Sequence, residues 1–138
     1  MFYVKLLASV MYSFFIVNYL DNVFNPRVCP GWHLILAGIY AVLPLFLARN
    51  IREFLILFVV VSLVNDLTYA VFRNLFLNGN YDLYGWYLWQ LGFKGFKGGW
   101  VADFMFFKVR VSSALMGAFV WARILLLLSA FIFYRKRF

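Results

Sequence analysis

The chain has 138 residues, a formal charge of +8, 66% hydrophobic residues and only 13% charged ones. A soluble domain carries roughly 25% charged residues; here the polar surface is too small to cover a water-facing globule, and the long apolar runs predict transmembrane helices in a single domain. One cysteine, Cys29, and one histidine, His33, exclude an intrachain disulfide, a bis-His haem and a Cys/His zinc site built from this chain alone.

The first predicted span covers residues 3–20. Its n-region holds only Lys5 and no A-x-A cleavage pattern follows, so it reads as a retained anchor and not a signal peptide. A turn-like segment follows from Asp21 to Gly31, broken by Asn25-Pro26 and by Cys29-Pro30-Gly31. The second span, residues 32–48, is short and carries Pro44, which predicts a kink or a tightly positioned helix. Arg49 to Glu53 reads as a tight polar hairpin joining antiparallel neighbours.

The third span covers residues 54–72, with Arg73 and Asn74 at its exit and a turn at Asn78-Gly79-Asn80. Residues 81–100 are too polar and Gly-rich for a span, yet too aromatic for a free loop. They predict a short helix around Asp82 to Leu91 lying in the membrane interface. Two Gly-Phe-Lys triplets follow, at Gly92–Lys94 and Gly95–Lys97. Residues 101–110 read either as a second interfacial turn or as the entry to the last helix. The fourth span covers residues 111–134 and ends at the basic stop Arg135-Lys136-Arg137. The expected fold is thus all-α: a polytopic integral membrane bundle of four transmembrane helices with an interfacial aromatic helix between the third and fourth.

Most cations stand at the ends of apolar runs, as headgroup anchoring requires, and no stripe of the nucleic-acid type is visible. With four spans, one membrane face carries Lys5, Arg49, Arg52, Arg135, Lys136 and Arg137. The other carries Arg27, Arg73, Lys94, Lys97, Lys108 and Arg110. The counts balance, but residues deep in the long third loop orient less than those beside span ends. Both termini are therefore expected in the cytoplasm.

Two charges fall inside apolar spans, Asp66 and Arg123. An ionised group in hydrocarbon costs from about 2.5 to over 10 kcal/mol, so each needs a partner. Asp66 lies 13 residues from Glu53, and Arg123 lies 12 from Arg135. At 1.5 Å per residue these are about 20 and 18 Å from one face, so the two are expected to pair on antiparallel helices. Ser62, Asn65, Thr68 and Tyr69 accompany Asp66, and a stripe of Ser62, Asn65, Asp66 and Tyr69 is expected to face the bundle interior or a partner. In the fourth span Ala114, Ala118 and Ala122 recur every fourth residue beside Ser113 and Gly117, a small-residue face that admits another helix closely.

Cys29, His33 and Asp21 are weak candidates for a metal site, since a soft thiolate with imidazole suits copper or zinc. A lone interfacial histidine is more often simply a polar anchor. No Gly-x-Ser-x-Gly, His-Glu-x-x-His or phosphate-binding loop occurs, and the five carboxylates form no acid/base pair.

The expectation is therefore a non-catalytic subunit of a larger membrane complex, such as a respiratory or oxygenase assembly. It would bind other membrane subunits and lipids, with no cofactor or catalytic residue of its own. The alternative is a homo-oligomeric ion- or proton-coupled transporter or channel using Asp66. A third reading is an enzyme on a lipid-soluble substrate, with Asp66, Tyr69 and His33 lining its pocket.

Overall fold

The computed structural model describes residues 1–25 and 28–135, the last two by backbone alone. Pro26, Arg27, Lys136, Arg137 and the side chain of Arg135, which entered the reading of turns and charge balance, lie outside the described residues. The chain is mostly helical. Three of its helices are long and apolar enough to cross a bilayer: Phe2–Val23, Ile51–Phe76 and Ser113–Phe133. The expected second span is a helix over Trp32–Leu47. Its 16 residues rise about 24 Å, short of the roughly 30 Å hydrocarbon core.

Helix α1, Phe2–Val23, is α-helical except at Tyr12–Val17, which form a π-helical segment. It runs through Asp21 and Asn22, which the sequence reading had assigned to the following turn. Gly31, at φ +74°, turns the chain into α2, Trp32–Leu47. A side chain at Gly31 would be strained there and would strike Met105, 2.9 Å from an added Cβ. Helix α3, Ile51–Phe76, begins at Asn50, whose side chain accepts the Glu53 N–H at 3.0 Å. Glu53 in turn accepts the Arg49 N–H at 2.9 Å. This exchange satisfies donors that a helix N-terminus otherwise leaves bare, and it explains the tight hairpin between α2 and α3.

Hydrogen bonds and ion pairs fix the helix directions. Helix α1 meets α3 through Lys5–Glu53, Ser13–Val61, Asn18–Asn65, Asn18–Thr68 and Asn22–Arg73. These partners rise together in number, so α1 and α3 are parallel. Helix α2 runs opposite to both: Tyr12 bonds Ile39, Asp21 bonds Trp32, and Tyr40 bonds Asn65. Helix α5, Ser113–Arg135, runs opposite to α3 and meets it where Arg123 reaches Ser62 and Asp66. Helix α3 is therefore central. Val17, Trp32, Leu36 and Val61 close an apolar cluster on one side of it. Leu63, Ala102, Val111, Met116 and Val120 close another.

One feature corrects the expected all-α bundle. Residues 101–110 are not the entry to the last helix. They belong to a β-hairpin of β1, Trp100–Asp103, and β2, Lys108–Val111, paired antiparallel. Lys108 and Arg110 face out while Val109 and Val111 turn in, the period of two that a half-buried strand requires. The hairpin is tied to the start of α2, where the Asp103 N–H donates to His33 Nδ1 at 2.8 Å. The N–H groups of Met105 and Gly31 hold the Asp103 carboxyl below the usual carboxylate range.

The helix expected around Asp82 to Leu91 is present as α4, Leu83–Gln90, and it is wedged between α3 and α5. Tyr87 donates to the Leu67 carbonyl and Gln90 to the Asp66 carbonyl, both at 2.6 Å. The turn after α4 presses Gly92 against Gly117 so closely that a Cβ on Gly117 would lie 2.5 Å from the Gly92 Cα. Ser113 Oγ and Trp121 Nε1 donate to the carbonyls of Trp89 and Leu91, at 2.6 and 3.0 Å. Side chains of α5 thus cover two of the carbonyls that end α4, as backbone near hydrocarbon demands.

Gly117→Val is expected to push the α4 turn off α5 and cost about 1–3 kcal/mol, as overpacking of a close contact does. Gly38→Ala, where an added Cβ meets nothing within 4 Å, is expected to be neutral or to stabilise α2 by about 0.5–1 kcal/mol. Reversible unfolding of the detergent-solubilised protein checks both.

Candidate functional site

Polar residues on α1 recur as Ser9, Ser13, Asn18 and Asn22, and all four are buried. The steps are four, five and four residues. An α-helix keeps residues four apart on one face, whereas a five-residue step would swing Asn18 away. The π-helical segment Tyr12–Val17 absorbs the extra residue and returns Asn18 to the face that meets α3.

Asn65 is the hub of the network that results. It is fully buried, and both ends of its amide are used. Its Nδ2 donates to Asn18 Oδ1 at 2.8 Å, and its Oδ1 accepts the Tyr40 hydroxyl. Asn18 Nδ2 donates to Thr68 Oγ1 at 2.7 Å, and Asn22 Nδ2 to the Asn18 carbonyl at 2.8 Å. Asp21 accepts the Trp32 indole N–H at 2.9 Å and also faces the Asn65 side chain. Each of α1, α2 and α3 thus contributes a side chain to one closed set of bonds. Ser13 adds a bond to the Val61 carbonyl. Among the described residues Ser9 Oγ is buried without a partner.

The ion pair stands on the other flank of α3. Arg123 Nη2 lies 2.7 Å from Asp66 Oδ2, and Nη1 donates to Ser62 Oγ at 3.2 Å. Arg123 Nε donates to the Phe119 carbonyl one turn back, which braces the guanidinium. Unlike Asn65, this pair is not sealed: the Asp66 and Arg123 side chains keep 24% and 19% of their surface exposed.

The stripe expected on the third span is divided. Ser62 and Asp66 face α5, Asn65 and Thr68 face α1, and Tyr69 stacks edge-on against Tyr81 with its hydroxyl beside Arg73. The small-residue face of α5 is divided as well. Its first turns, Ser113, Ala114 and Gly117, receive Lys94, Gly95 and Gly92 of the α4–β1 loop. Ala118 and Ala122 remain exposed.

The metal candidates are drawn apart. Cys29 packs beside the cluster of Val17, Trp32 and Leu36. His33 stacks on Trp100 with ring centroids 4.9 Å apart and binds the hairpin, and Asp21 holds Trp32. Among the described residues no three His, Cys, Asp or Glu side chains come together. The sequence reading had passed over Asn18, Asn22, Tyr40, Gln90 and the 2.8 Å Lys5–Glu53 pair. The Ser/Asn spacing in the first span was the signal available for two of them.

No family model, no curated protein and no solved structure matches the chain.

Removing one member of the ion pair strands the other charge. Asp66→Leu and Arg123→Leu are each expected to destabilise by up to about 3–5 kcal/mol, and the double substitution by clearly less than their sum. A double-mutant cycle on unfolding in detergent checks the coupling. In the same assay Ser9→Ala is expected to be neutral or stabilising. Asn65→Leu, which orphans Asn18 and Tyr40, should cost about 1–3 kcal/mol or more.

Proposed function

We propose that the chain is a small non-catalytic subunit of a larger integral membrane complex. It crosses the bilayer four times, and both termini lie in the cytoplasm. The alternating helix directions support the four crossings, with α2 as the short second span. Membrane lipids cover the remaining apolar flanks.

The observation that carries the reading is the partly exposed Asp66–Arg123 pair on the flank of the bundle. An ion pair left partly open toward hydrocarbon is expensive, and a neighbouring helix that closes it removes that cost. Ala118 and Ala122 are exposed on the same helix as Arg123 and leave room for close approach. The buried Asn65 network supports the same reading, because its side chains hold helices together.

A second reading rests on Asp21. It puts a second carboxylate in the polar layer around Asn65, in reach of the helix that carries Asp66. A homo-oligomeric transporter or channel would use the two acids to pass a proton or cation through that layer.

Extraction from native membranes in mild detergent, followed by native mass measurement, separates the readings. Stoichiometric partner proteins are expected, and Ala118→Leu/Ala122→Leu should release them while the chain stays folded. A lone monomer or homodimer would overturn the subunit reading. Loss of ion or proton flux on Asp66→Asn in reconstituted vesicles would then establish the second.

A further inference from the structure

The loop after α4 and the β-hairpin form one rim at the end of the bundle where α2 and α5 begin. The loop is held to α5: the Ala114 N–H donates to the Gly95 carbonyl at 2.7 Å, and the Lys94 N–H donates to Ser113 Oγ at 3.2 Å. Trp89 Nε1 donates to the Lys97 carbonyl at 3.0 Å. The hairpin is held to α2 through His33 and Gly31. The rim is therefore a built surface, anchored on both sides to membrane-embedded helices.

Its outward chemistry has two parts. Phe93, Phe96, Phe106 and Phe107 are exposed, Phe96 at 90% and Phe106 at 85%. Lys94, Lys97, Lys108 and Arg110 are exposed among them. Three of these cations directly follow an exposed phenylalanine in the chain. Between residues 83 and 112 the only carboxylate is Asp103. It is buried and occupied by backbone N–H groups, so it does not neutralise the rim.

We propose that this rim binds the phosphate headgroups of anionic lipids in the leaflet that contains the start of α2 and α5. The phenylalanines enter the boundary between acyl chains and headgroups, where aromatic rings partition. The cations then stand level with the phosphates, each favouring an anionic over a zwitterionic headgroup by about fivefold. The charge complementarity selects lipid: four cations spread over a rigid rim among inserted aromatics suit a sheet of phosphates. The inference rests on the placement of the chain in a membrane and not on the subunit reading.

The test uses the purified full chain in neutral detergent, titrated with phosphatidylglycerol or with phosphatidylcholine of the same acyl chains. Bound lipids are counted by native mass spectrometry. The native chain is expected to prefer phosphatidylglycerol by about fivefold or more. Lys94→Gln/Lys97→Gln and Lys108→Gln/Arg110→Gln should each lower that preference, and the four together should bring it near unity. Arg49→Gln/Arg52→Gln, at the opposite end of the bundle, should leave it unchanged. The paired variants keep the test open if the fourfold variant fails to fold. No preference in the native chain, or a preference that survives both paired substitutions, overturns the proposal. So does loss of a co-purifying acidic protein with the lipid preference intact.

Discussion

Hydrocarbon offers no water to a stray polar group and no hydrophobic reward for bringing two apolar helices together. The Asn65 amide answers both problems at once. In a bilayer, helix association depends on close packing and on interhelical hydrogen bonds worth about 0.6–2 kcal/mol each. Among the described residues seven such bonds link α1, α2 and α3, from Ser13–Val61 and Tyr12–Ile39 to Arg73–Asn22. At about 0.6 kcal/mol apiece they supply about 4 kcal/mol, a large share of the 5–15 kcal/mol by which folded proteins are typically stable. The parallel register of α1 against α3 follows, because a slip of one turn would strand every member of the set. The Lys5–Glu53 pair clamps the same register at the far end.

The π-helical segment belongs to that constraint. Uninterrupted α-helix over residues 12–17 would send Ser13 and Asn18 to different faces, and a buried asparagine would lose its partners. A wider turn costs some backbone geometry over Tyr12–Val17 and restores contact for Asn18 and Asn22. The placement of the segment is thus explained by the side chains on either side of it. The same logic accounts for α4. Its final carbonyls could not be left bare beside α5, and Ser113 and Trp121 are positioned to cover them.

Long apolar runs and the depth of two charges were legible from the chain alone, because both depend only on counting residues along a helix. Residues 54–72 do sit in a helix, and Asp66 and Arg123 do lie at matching heights. Which face each polar residue takes was less legible. Asn65 and Asp66 are adjacent, so they sit about 100° apart and serve different neighbours; a single stripe could not hold both. The π segment hid the α1 stripe from any search at fixed spacing. The hairpin was obscured because aromatics and cations at residues 100–111 suit an interface as well as a strand. Only the alternation of Lys108, Val109, Arg110 and Val111 marked the period of two. The small-residue face of α5 was visible, but its occupant was not: a loop carrying Gly92 and Gly95 fits there as a helix would.

The two polar systems flanking α3 differ in how completely they are enclosed. Around Asn65 the side chains of three helices bond one another inside the chain. Asp66 and Arg123 satisfy each other yet stay partly open, at a place where openness is costly. The fold keeps Arg123 extended toward Asp66 through Phe119, Ser62 and the Gln90 contact on the Asp66 backbone, so the opening is held in place by several groups. The pair is braced from three sides and keeps part of its surface on the fourth.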